Sequence, residues 1–266
     1  MTRSSLEPQQ ANIPSHPVTR LYGFPISRLN MDDTVALLAE WAESGKPHHV
    51  VTINPIMIMD ALAKEEHRRA MHAADMLVPD GTGVVWAASY IKQPVAERVP
   101  GIELMQRLLE IADRKGWRVY LIGTTPETIQ AAAERLKQRY PGAVFYYRDG
   151  YFGPEQDEEV IGNVREAEPH LLFVGRSADL QDPWIYRHRD RLNVPVMMGV
   201  GGSFDVISGK LKRAPLVFRR LRLEWLYRLI QEPFRYKRML ALPKFVFKVI
   251  RDGKKAALDG KDRQEP

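Results

Sequence analysis

The chain has 266 residues, of which 44% are hydrophobic, so it can bury a full core and is not disordered throughout. It contains no cysteine, which excludes a disulfide framework, a thiolate metal site and a cysteine nucleophile and agrees with a reducing, cytoplasmic compartment. The net charge of +6 is unevenly spread, because residues 210–255 hold fifteen lysines and arginines against three acids and the rest is net acidic.

Residues 1–17 contain prolines, serines and glutamines but no apolar run. They lack the hydrophobic region of a secretory signal, and we expect them to be a disordered leader. No later window has the ~18 consecutive apolar residues that a membrane-spanning helix needs, so the chain is not expected to cross a bilayer. After the leader, Asn30 or Asp32 can cap an amphipathic helix that runs through Trp41 and packs on a sheet.

Apolar runs alternate with segments of helical period from about residue 48 to residue 209, which is the pattern of repeated βα units. This pattern predicts an α/β fold with a Rossmann-like, mostly parallel sheet flanked by helices. It assigns residues 18–209 to one domain, called the body below. The predicted strands are at 48–53, 75–80, 117–123, 143–147, 170–175 and 194–200.

Helices are predicted between and after these strands. The clearest start is the Thr-Pro-Glu sequence at residues 125–127, which supplies a capping hydroxyl, a first-turn proline and an acid. The predicted helices are at 56–64, 83–91, 102–115, 126–139, 155–167 and 184–191.

Strand signals end after Gly209. Residues 210–255, called the appendage below, have the pattern of two or three helices that break at Pro215, Pro233 and Pro243. Proline ends or kinks a helix because it removes a backbone donor and clashes with the preceding turn. The remaining residues, 256–266, are expected to be a disordered tail.

The bases of the appendage alternate with leucines and aromatic residues. At a membrane interface such rings lie at headgroup depth, and each base contributes about 1 kcal/mol near an anionic surface. The same charges suit nucleic-acid phosphates, but no helix-turn-helix, RNP or zinc-finger motif accompanies them. Two bland interpretations also stay open: helices that close the core or a subunit contact, and a merely solvated basic face. We favour an anionic membrane surface and expect no nucleic-acid partner.

Ligands of an open α/β sheet bind beyond the carboxyl ends of its strands, so polar residues there are the first candidates. Asp80 follows the second predicted strand and precedes Gly81 and Gly83, where a helix should begin. It can act as a general base if a substrate hydroxyl lies within hydrogen-bond reach, or it can simply cap the helix. The GVGGSFD sequence at residues 199–205 can bring its backbone close to a phosphate, or it can be a tight turn into a helix.

Several familiar site motifs are missing. Phe204 stands where a dinucleotide fingerprint has its third glycine, and the GVGGSF sequence follows the last strand instead of the first. Both features argue against a nucleotide-dependent oxidoreductase. There is no Walker A, GxSxG or HExxH sequence. The histidines, including His48 and His49, form no recognisable ligand set, so no metal site is expected.

Nine motifs, taken in order, resemble those of the WecG/TagA/CpsF family of bacterial glycosyltransferases, glycosyltransferase family 26. The resemblance extends from about residue 21 to residue 247. Each motif alone is weak, but the ordered set is strongly specific. The motifs are TINP, PDGTGVVWA, RVPGIEL, YLIGTTPE, GYF, LLFVG, QDPWI, GVGGSFDVISGKLKRAP and LEWLYRLIQEPFRYKRML.

The resemblance implies an inverting glycosyltransferase with a UDP-sugar donor, the sugar being N-acetylmannosamine, its uronic acid or a hexose. The implied acceptor is a sugar on undecaprenyl diphosphate, in the biosynthesis of teichoic acid, capsule or exopolysaccharide. The enzyme would lie peripherally at the inner face of the cell membrane and would need no metal or other cofactor. The body would bind the sugar nucleotide, and the appendage would close over the site to meet the lipid-linked diphosphate. A homo-oligomer is left open.

Carried over by position, Asp80 is the catalytic base that deprotonates the acceptor hydroxyl. Thr52, Asn54 and Gln181 complete the implied catalytic set. Arginines of the appendage are expected to neutralise the acceptor diphosphate or the leaving UDP, since guanidinium groups match phosphate geometry. The implied substrate-binding residues are Arg98, Gly123, Tyr151, Gly201, Gly202, Asp205, Arg213, Arg219, Arg222 and Arg228.

The chain departs from the family pattern at residues 177–182, where Ser-Ala-Asp-Leu-Gln-Asp replaces the usual Gly-Ser-Pro-Lys-Gln-Glu. Ile56, Pro100 and Glu103 also replace common family residues. These changes bear on sugar specificity and leave one alternative, a catalytically silent nucleotide-binding or assembly protein of the same fold at the membrane surface. They do not affect Asp80.

Overall fold

A computed structural model of the chain describes residues 15–177, 179–221 and 223–257, except for the side chain of Arg219. The strands of the described chain are β1 Val18–Leu21, β2 Phe24–Ser27, β3 His48–Ile53, β4 Met76–Pro79, β5 Arg118–Gly123, β6 Val144–Arg148, β7 Leu171–Gly175 and β8 Val196–Gly199. They form one sheet in the order β1-β2-β4-β3-β8-β7-β5-β6. Only β1 and β2 pair antiparallel, and the other neighbours pair parallel. The predicted α/β class with a mostly parallel sheet is therefore confirmed.

The β1–β2 hairpin at one edge of the sheet is an addition to the six predicted strands, all of which are present. Its two strands are joined by Tyr22 and Gly23, both at positive φ, as a tight two-residue hairpin turn requires. β2 then pairs parallel with β4 through Ile26 and Leu77, which attaches the hairpin to the main sheet. β1 and β2 are interrupted by polar residues or proline, so they lack the continuous apolar run by which the equally short β4 and β8 were predicted.

Helices cover both faces of the sheet. The capping residue of the first helix is Asn30, whose side chain accepts a hydrogen bond from the Asp33 amide. The third helix was not predicted, because it is short of apolar residues. The ninth, of five residues, was expected only in one of the two interpretations of the GVGGSFD sequence. The body helices are α1 Met31–Ser44, α2 Pro55–Ala63, α3 Glu65–Ala73, α4 Thr82–Tyr90, α5 Gly101–Lys115, α6 Pro126–Arg139, α7 Asp157–Ala167, α8 Gln181–Leu192 and α9 Ser203–Ile207.

The core lies in two layers because the parallel strands are buried on both faces. Val50 and Leu121 pack with α1, α5 and α6 on one face. Val51 packs with α2 and α4, and Ile122 with α7 and α8, on the other face. Alternate residues of a strand point to opposite faces, so strands buried on both sides become continuous apolar runs. This explains why the main strands were readable from the sequence.

The described appendage contains only helices and turns. Its α-helices are α10 Leu216–Arg220, α11 Glu224–Gln231, α12 Tyr236–Met239 and α13 Ala241–Asp252. Pro215 directly precedes α10, and Pro233 opens a 3-10 turn between α11 and α12, as predicted. The prediction that a helix breaks at Pro243 is wrong. Pro243 is the third residue of α13, and the first turn of a helix needs no backbone donor from it.

The last described part of the chain is anchored on the body. Phe245 and Val249 of α13 are fully buried in the same cluster as residues of α2 and α4. A 3-10 helix, Gly253–Ala257, follows, and the Tyr22 amide donates to the Ala256 carbonyl at 2.7 Å. Residues 1–14 of the expected leader and 258–266 of the expected tail lie outside the described residues.

Candidate active site

A cavity of about 810 Å³ opens at the carboxyl ends of β3, β4, β7 and β8, where the strand-end rule places ligands. The loops that follow these strands form one side of it. Residues of α11, α12 and α13 form the opposite side, so body and appendage enclose the cavity together. The predicted site residues on its wall are Thr52, Asn54, Asp80, Arg98, Gln181, Gly201, Gly202, Arg213 and Arg228.

Two of these residues shape the end of β3. The Thr52 hydroxyl donates to the Gly199 carbonyl at 3.1 Å, which ties the end of β3 to the end of β8. The Asn54 side-chain oxygen accepts hydrogen bonds from the Ile56 and Met57 amides and so caps α2. Both contacts hold the two strand ends in place beside the cavity.

Asp80 directly follows β4. The adjacent helix α4 has Gly81 as its N-cap and no capping side chain, so the Asp80 carboxylate does not cap it. The Gly101 amide at the start of α5 instead lies near the carboxylate and stabilises its charged form. About 30% of the side chain stays exposed, and the residue lines the cavity. A substrate hydroxyl in the cavity therefore has access to this carboxylate.

The electrostatic surroundings of Asp80 favour a base. Burial raises the pKa of the carboxyl above its usual range, and the Arg98 guanidinium and the Gly101 amide offset this only in part. The Arg98 Nη2 atom lies 3.6 Å from Asp80 Oδ1. A carboxylate with a raised pKa holds a proton more strongly, which improves it as a general base near neutral pH.

Arg98 also joins the body to the appendage. Its Nε atom donates to the backbone carbonyl of Asp80, and its Nη2 atom donates to Glu224 Oε2 of α11 at 2.5 Å. A second ion pair, between Arg213 and Glu103, links the same two parts of the molecule. Neither pairing was predicted, because the partners are more than a hundred residues apart in sequence and no local spacing reports such a contact.

Gln181 belongs to a buried polar chain behind the glycine-rich loop. Its side-chain oxygen accepts from the Gly201 amide at 3.0 Å, and its Nε2 atom donates to Asp182 Oδ2 at 3.0 Å. The other oxygen of Asp182 lies 3.3 Å from His49 Nε2. Gln181, Asp182 and His49 are almost completely buried. Asp182 therefore fixes the orientation of the Gln181 amide, and Gln181 in turn fixes the loop.

Arg228 of the appendage lies against this loop. A β-carbon on Gly202 would fall 1.9 Å from Arg228 Nη2, so the guanidinium approaches the backbone where only glycine leaves room. Arg228 Nε pairs with Glu232 Oε2 at 3.1 Å. Its Nη2 atom is buried and has no hydrogen-bond partner among the described residues. A buried, unpaired cationic donor is a ready partner for an anion such as a phosphate.

Three further arginines on the cavity wall, Arg176, Arg235 and Arg238, were not among the predicted site residues. Arg235 Nε lies 3.0 Å from Glu232 Oε2, so this one acid holds both Arg228 and Arg235. The signal that would have found Arg235 and Arg238 is their spacing of seven and ten residues after Arg228, which matches one face of a helix. The wall of the cavity is therefore more basic than the sequence analysis predicted.

Comparison with known proteins identifies the family. The sequence model described as "Glycosyl transferase WecG/TagA/CpsF family" matches residues 19–258. The chain belongs to this family. Similar proteins from Staphylococcus aureus strains MW2, NCTC 8325 and MRSA252 are 40% identical over 206 residues, which cover 77% of this chain and 81% of each relative. Each is named N-acetylglucosaminyldiphosphoundecaprenol N-acetyl-beta-D-mannosaminyltransferase.

Membership of the WecG/TagA/CpsF family makes the chain a glycosyltransferase and confirms the resemblance that its motifs predicted. Three residues that the resemblance implied are not on the cavity wall. Gly123 packs against the backbone of Gly175, Asp205 accepts a hydrogen bond from Thr124 at 3.0 Å, and Tyr151 is 73% exposed. Their binding roles stay predictions.

The structure brings Arg213 and Arg228 to the cavity together with most of the body residues that the WecG/TagA/CpsF pattern implied. Arg222 and the side chain of Arg219 lie outside the described residues. The role of these four arginines in holding phosphates stays a prediction.

The loop that departs from the WecG/TagA/CpsF pattern offers a direct test of the buried polar chain. We expect Asp182→Ala to lower the free energy of unfolding by about 1–3 kcal/mol for each partner left unpaired, His49 and Gln181. It should also raise the KM for the sugar-nucleotide donor, because the Gly201 amide loses its fixed partner. Thermal unfolding and donor titrations measure the two effects.

The matched control is Asp179→Ala in the same loop. Asp179 is half-exposed and pairs with Lys64 at 3.1 Å, so its loss is expected to cost no more than about 1 kcal/mol. Equal stability of the two variants would contradict the positioning role of Asp182.

Proposed function

We propose that this chain transfers N-acetylmannosamine from a UDP-linked donor to N-acetylglucosamine on undecaprenyl diphosphate. The observation that carries the proposal is the cavity between body and appendage, which places the accessible Asp80 carboxylate opposite a cluster of arginines. The names of the staphylococcal relatives favour this donor sugar and this lipid-linked acceptor.

The proposed reaction is a single displacement at the anomeric carbon. Asp80 takes the proton of the acceptor hydroxyl while its oxygen forms the new bond to the anomeric carbon. The bond between that carbon and the diphosphate oxygen breaks, and UDP leaves with the electron pair. The configuration inverts, and Asp80 later passes its proton to water. Charge is conserved in this scheme, because the acceptor hydroxyl releases one proton and UDP leaves with one additional negative charge.

The appendage arginines have a defined task in this scheme. Negative charge grows on the diphosphate as it departs, and preorganised cations stabilise charge that develops in the transition state. Arg228, with its unpaired buried Nη2 atom beside Gly202, is the first candidate, and Arg235 and Arg238 add to it. We accordingly assign donor binding mainly to residues 18–209, and we assign to residues 210–255 both the stabilisation of the departing diphosphate and the contact with the acceptor diphosphate.

We also infer a peripheral position at the cytoplasmic face of the membrane. In the described part of the chain, no helix is both long enough and apolar enough to span a bilayer. The appendage nevertheless exposes many large apolar side chains among its bases. They are Leu216, Val217, Leu221, Trp225, Ile230, Phe234, Tyr236, Leu240, Val246, Phe247 and Ile250. Exposed apolar side chains rimmed by cations suit an anionic lipid surface.

A paired substitution tests the membrane contact. Phe234 and Phe247 are 74% and 67% exposed and do not line the cavity. Burying one phenylalanine contributes about 1.5–3 kcal/mol. Changing both to serine is therefore expected to weaken binding to phosphatidylglycerol vesicles by a factor of at least about ten. Co-sedimentation measures this. Tyr151→Ser, at an equally exposed aromatic of the body, is the control, and equal binding of all three proteins would contradict the inference.

The proposed function itself is tested by a donor screen. The purified full-length protein is mixed with lipid-linked N-acetylglucosamine acceptor and a panel of UDP-sugars, and UDP release is measured. We expect the fastest release with UDP-N-acetylmannosamine, and only in the presence of acceptor. Release with another sugar would reassign the donor, and no acceptor-dependent release with any sugar would contradict the function.

A further inference from the structure

We propose that Glu224 is a positioning residue for the transfer: it holds the Arg98 guanidinium away from the Asp80 carboxylate, so that Asp80 is a free base only while the appendage is docked. This inference rests on the proposed function and adds a link between the two halves of the site. Both residues lie in family motifs, but the sequence alone does not show that they share Arg98 as a partner.

The geometry places one guanidinium between two carboxylates. Arg98 is anchored by its Nε atom, which donates to the backbone carbonyl of Asp80. Its Nη2 atom lies 2.5 Å from Glu224 and 3.6 Å from the Asp80 carboxylate. Arg98 Nη2 therefore forms its short hydrogen bond with Glu224, while its contact with the Asp80 carboxylate is a longer ion pair. Because the Nε contact is to the backbone of Asp80, the guanidinium stays beside the base whichever carboxylate it pairs with.

Loss of Glu224 would change the partner of Arg98. Asp80 would become the nearest carboxylate to Nη2, and a full ion pair would stabilise the charged form and occupy an oxygen that must receive the proton. The negative charge of Glu224 also acts directly on Asp80 and opposes its ionisation. Through both effects, Glu224 keeps the pKa of Asp80 higher than it would otherwise be.

Other charged groups face the same cavity but do not compete for this contact. Among the described residues, Arg98 is the only ion-pair partner of Asp80. The remaining charged residues of the cavity wall are Arg176, Lys212, Arg213, Arg228, Arg235 and Arg238. Glu103 is engaged by Arg213. Within the described part of the wall, Glu224 is thus the one acid that is placed to draw Arg98 from the base.

The position of Glu224 in α11 couples two requirements of the reaction. Glu224 is the first residue of this helix, and Arg228, which faces the glycine loop, lies one turn later. Docking of α11 therefore brings the anion-binding arginine into the site and frees the base in the same movement. Without α11 in place, Arg98 would turn to Asp80, and their present 3.6 Å contact would shorten to a hydrogen-bonded ion pair.

The experiment measures the Asp80 titration directly. Full-length protein carrying ¹³C-labelled aspartate is titrated by NMR, and the Asp80 carboxyl resonance is assigned by its absence in Asp80→Asn. We expect Glu224→Gln to lower the Asp80 pKa and to move the acidic limb of the kcat/KM profile to lower pH. At neutral pH, kcat should fall about tenfold while the donor KM changes less than about twofold. Glu224→Asp should restore part of the wild-type behaviour.

Asp252→Asn is the matched control, since it makes the same change of charge on the appendage at a residue outside the cavity wall. It should titrate like the wild type. An Asp80 pKa that is unchanged or raised in Glu224→Gln overturns the proposal, whether or not the appendage stays docked, because the Glu224 contact is lost in both cases. Failure of the proposed function looks different: Asp80→Asn would keep its turnover while Glu224→Gln still lowered the Asp80 pKa.

Discussion

Replacing Asp80 with asparagine is expected to lower kcat for sugar transfer by about 10²- to 10⁴-fold and to leave the fold intact. Asparagine has the shape of aspartate but cannot take the proton of the acceptor hydroxyl. The Gly101 amide, which stabilises the Asp80 carboxylate, can interact equally with the asparagine oxygen. Initial rates at saturating donor and acceptor, together with circular dichroism, measure the two parts of this prediction.

The same variant is expected to be at least as stable as the wild type at neutral pH. Burial raises the pKa of Asp80 in the folded protein, so the folded state binds this proton more strongly than the unfolded chain does. Stability from this group is then present at low pH and is lost as the pH rises through the folded pKa. Asparagine carries no charge, so this loss of stability at higher pH does not occur in the variant. Thermal unfolding at neutral pH measures the difference in stability, and Asp60→Asn, outside the cavity wall, is the control.

For the activity, near wild-type turnover in Asp80→Asn would show that another group is the base.

Replacing Arg228 with glutamine is expected to reduce kcat/KM for the donor by about 10²- to 10³-fold. The side chain loses its charge and the buried Nη2 donor beside Gly202, both of which should act on the departing diphosphate. Gly202→Ala should lower the same quantity, because its β-carbon would overlap the guanidinium. Steady-state kinetics and calorimetric titration with UDP measure the loss.

The control for Arg228 is Arg251→Gln, which removes an arginine of the same appendage that is 63% exposed and outside the cavity wall. It should retain wild-type kinetics. A similar, small loss in both variants would mean that the appendage acts through its total charge and not through a defined contact. Deleting the appendage is a poorer test, because it would also remove Phe245 and Val249 from the core.

Much of the fold could be predicted because its main signals are local. The buried parallel strands are apolar runs such as the Leu171–Gly175 strand, and the α6 start is encoded by Thr125 and Pro126. The elements that were missed are short or have few apolar residues. Helix α3 buries only Ala70 and Met71, and most of its other side chains are charged or polar, so it has too few apolar residues to be recognised.

The candidate site was predictable where the backbone topology alone brings residues together. Parallel strands end at one edge of the sheet, which is why Asp80, Gln181 and Gly201 meet at one cavity. Contacts that depend on how the appendage folds back were not predictable. The pairing of Arg98 with Glu224 and the use of His49 as a partner of Asp182 need the three-dimensional arrangement, since neither has a fixed sequence spacing.

The central claim is that Asp80 and the appendage arginines transfer a sugar to a lipid-linked acceptor. Mass spectrometry of the lipid product, after incubation with UDP-N-acetylmannosamine and N-acetylglucosaminyl diphosphoundecaprenol, tests it most directly. We predict a lipid-linked disaccharide with inverted anomeric configuration from the wild type and almost none from Asp80→Asn or Arg228→Gln. A disaccharide formed equally by all three proteins, or by none of them, would contradict the claim.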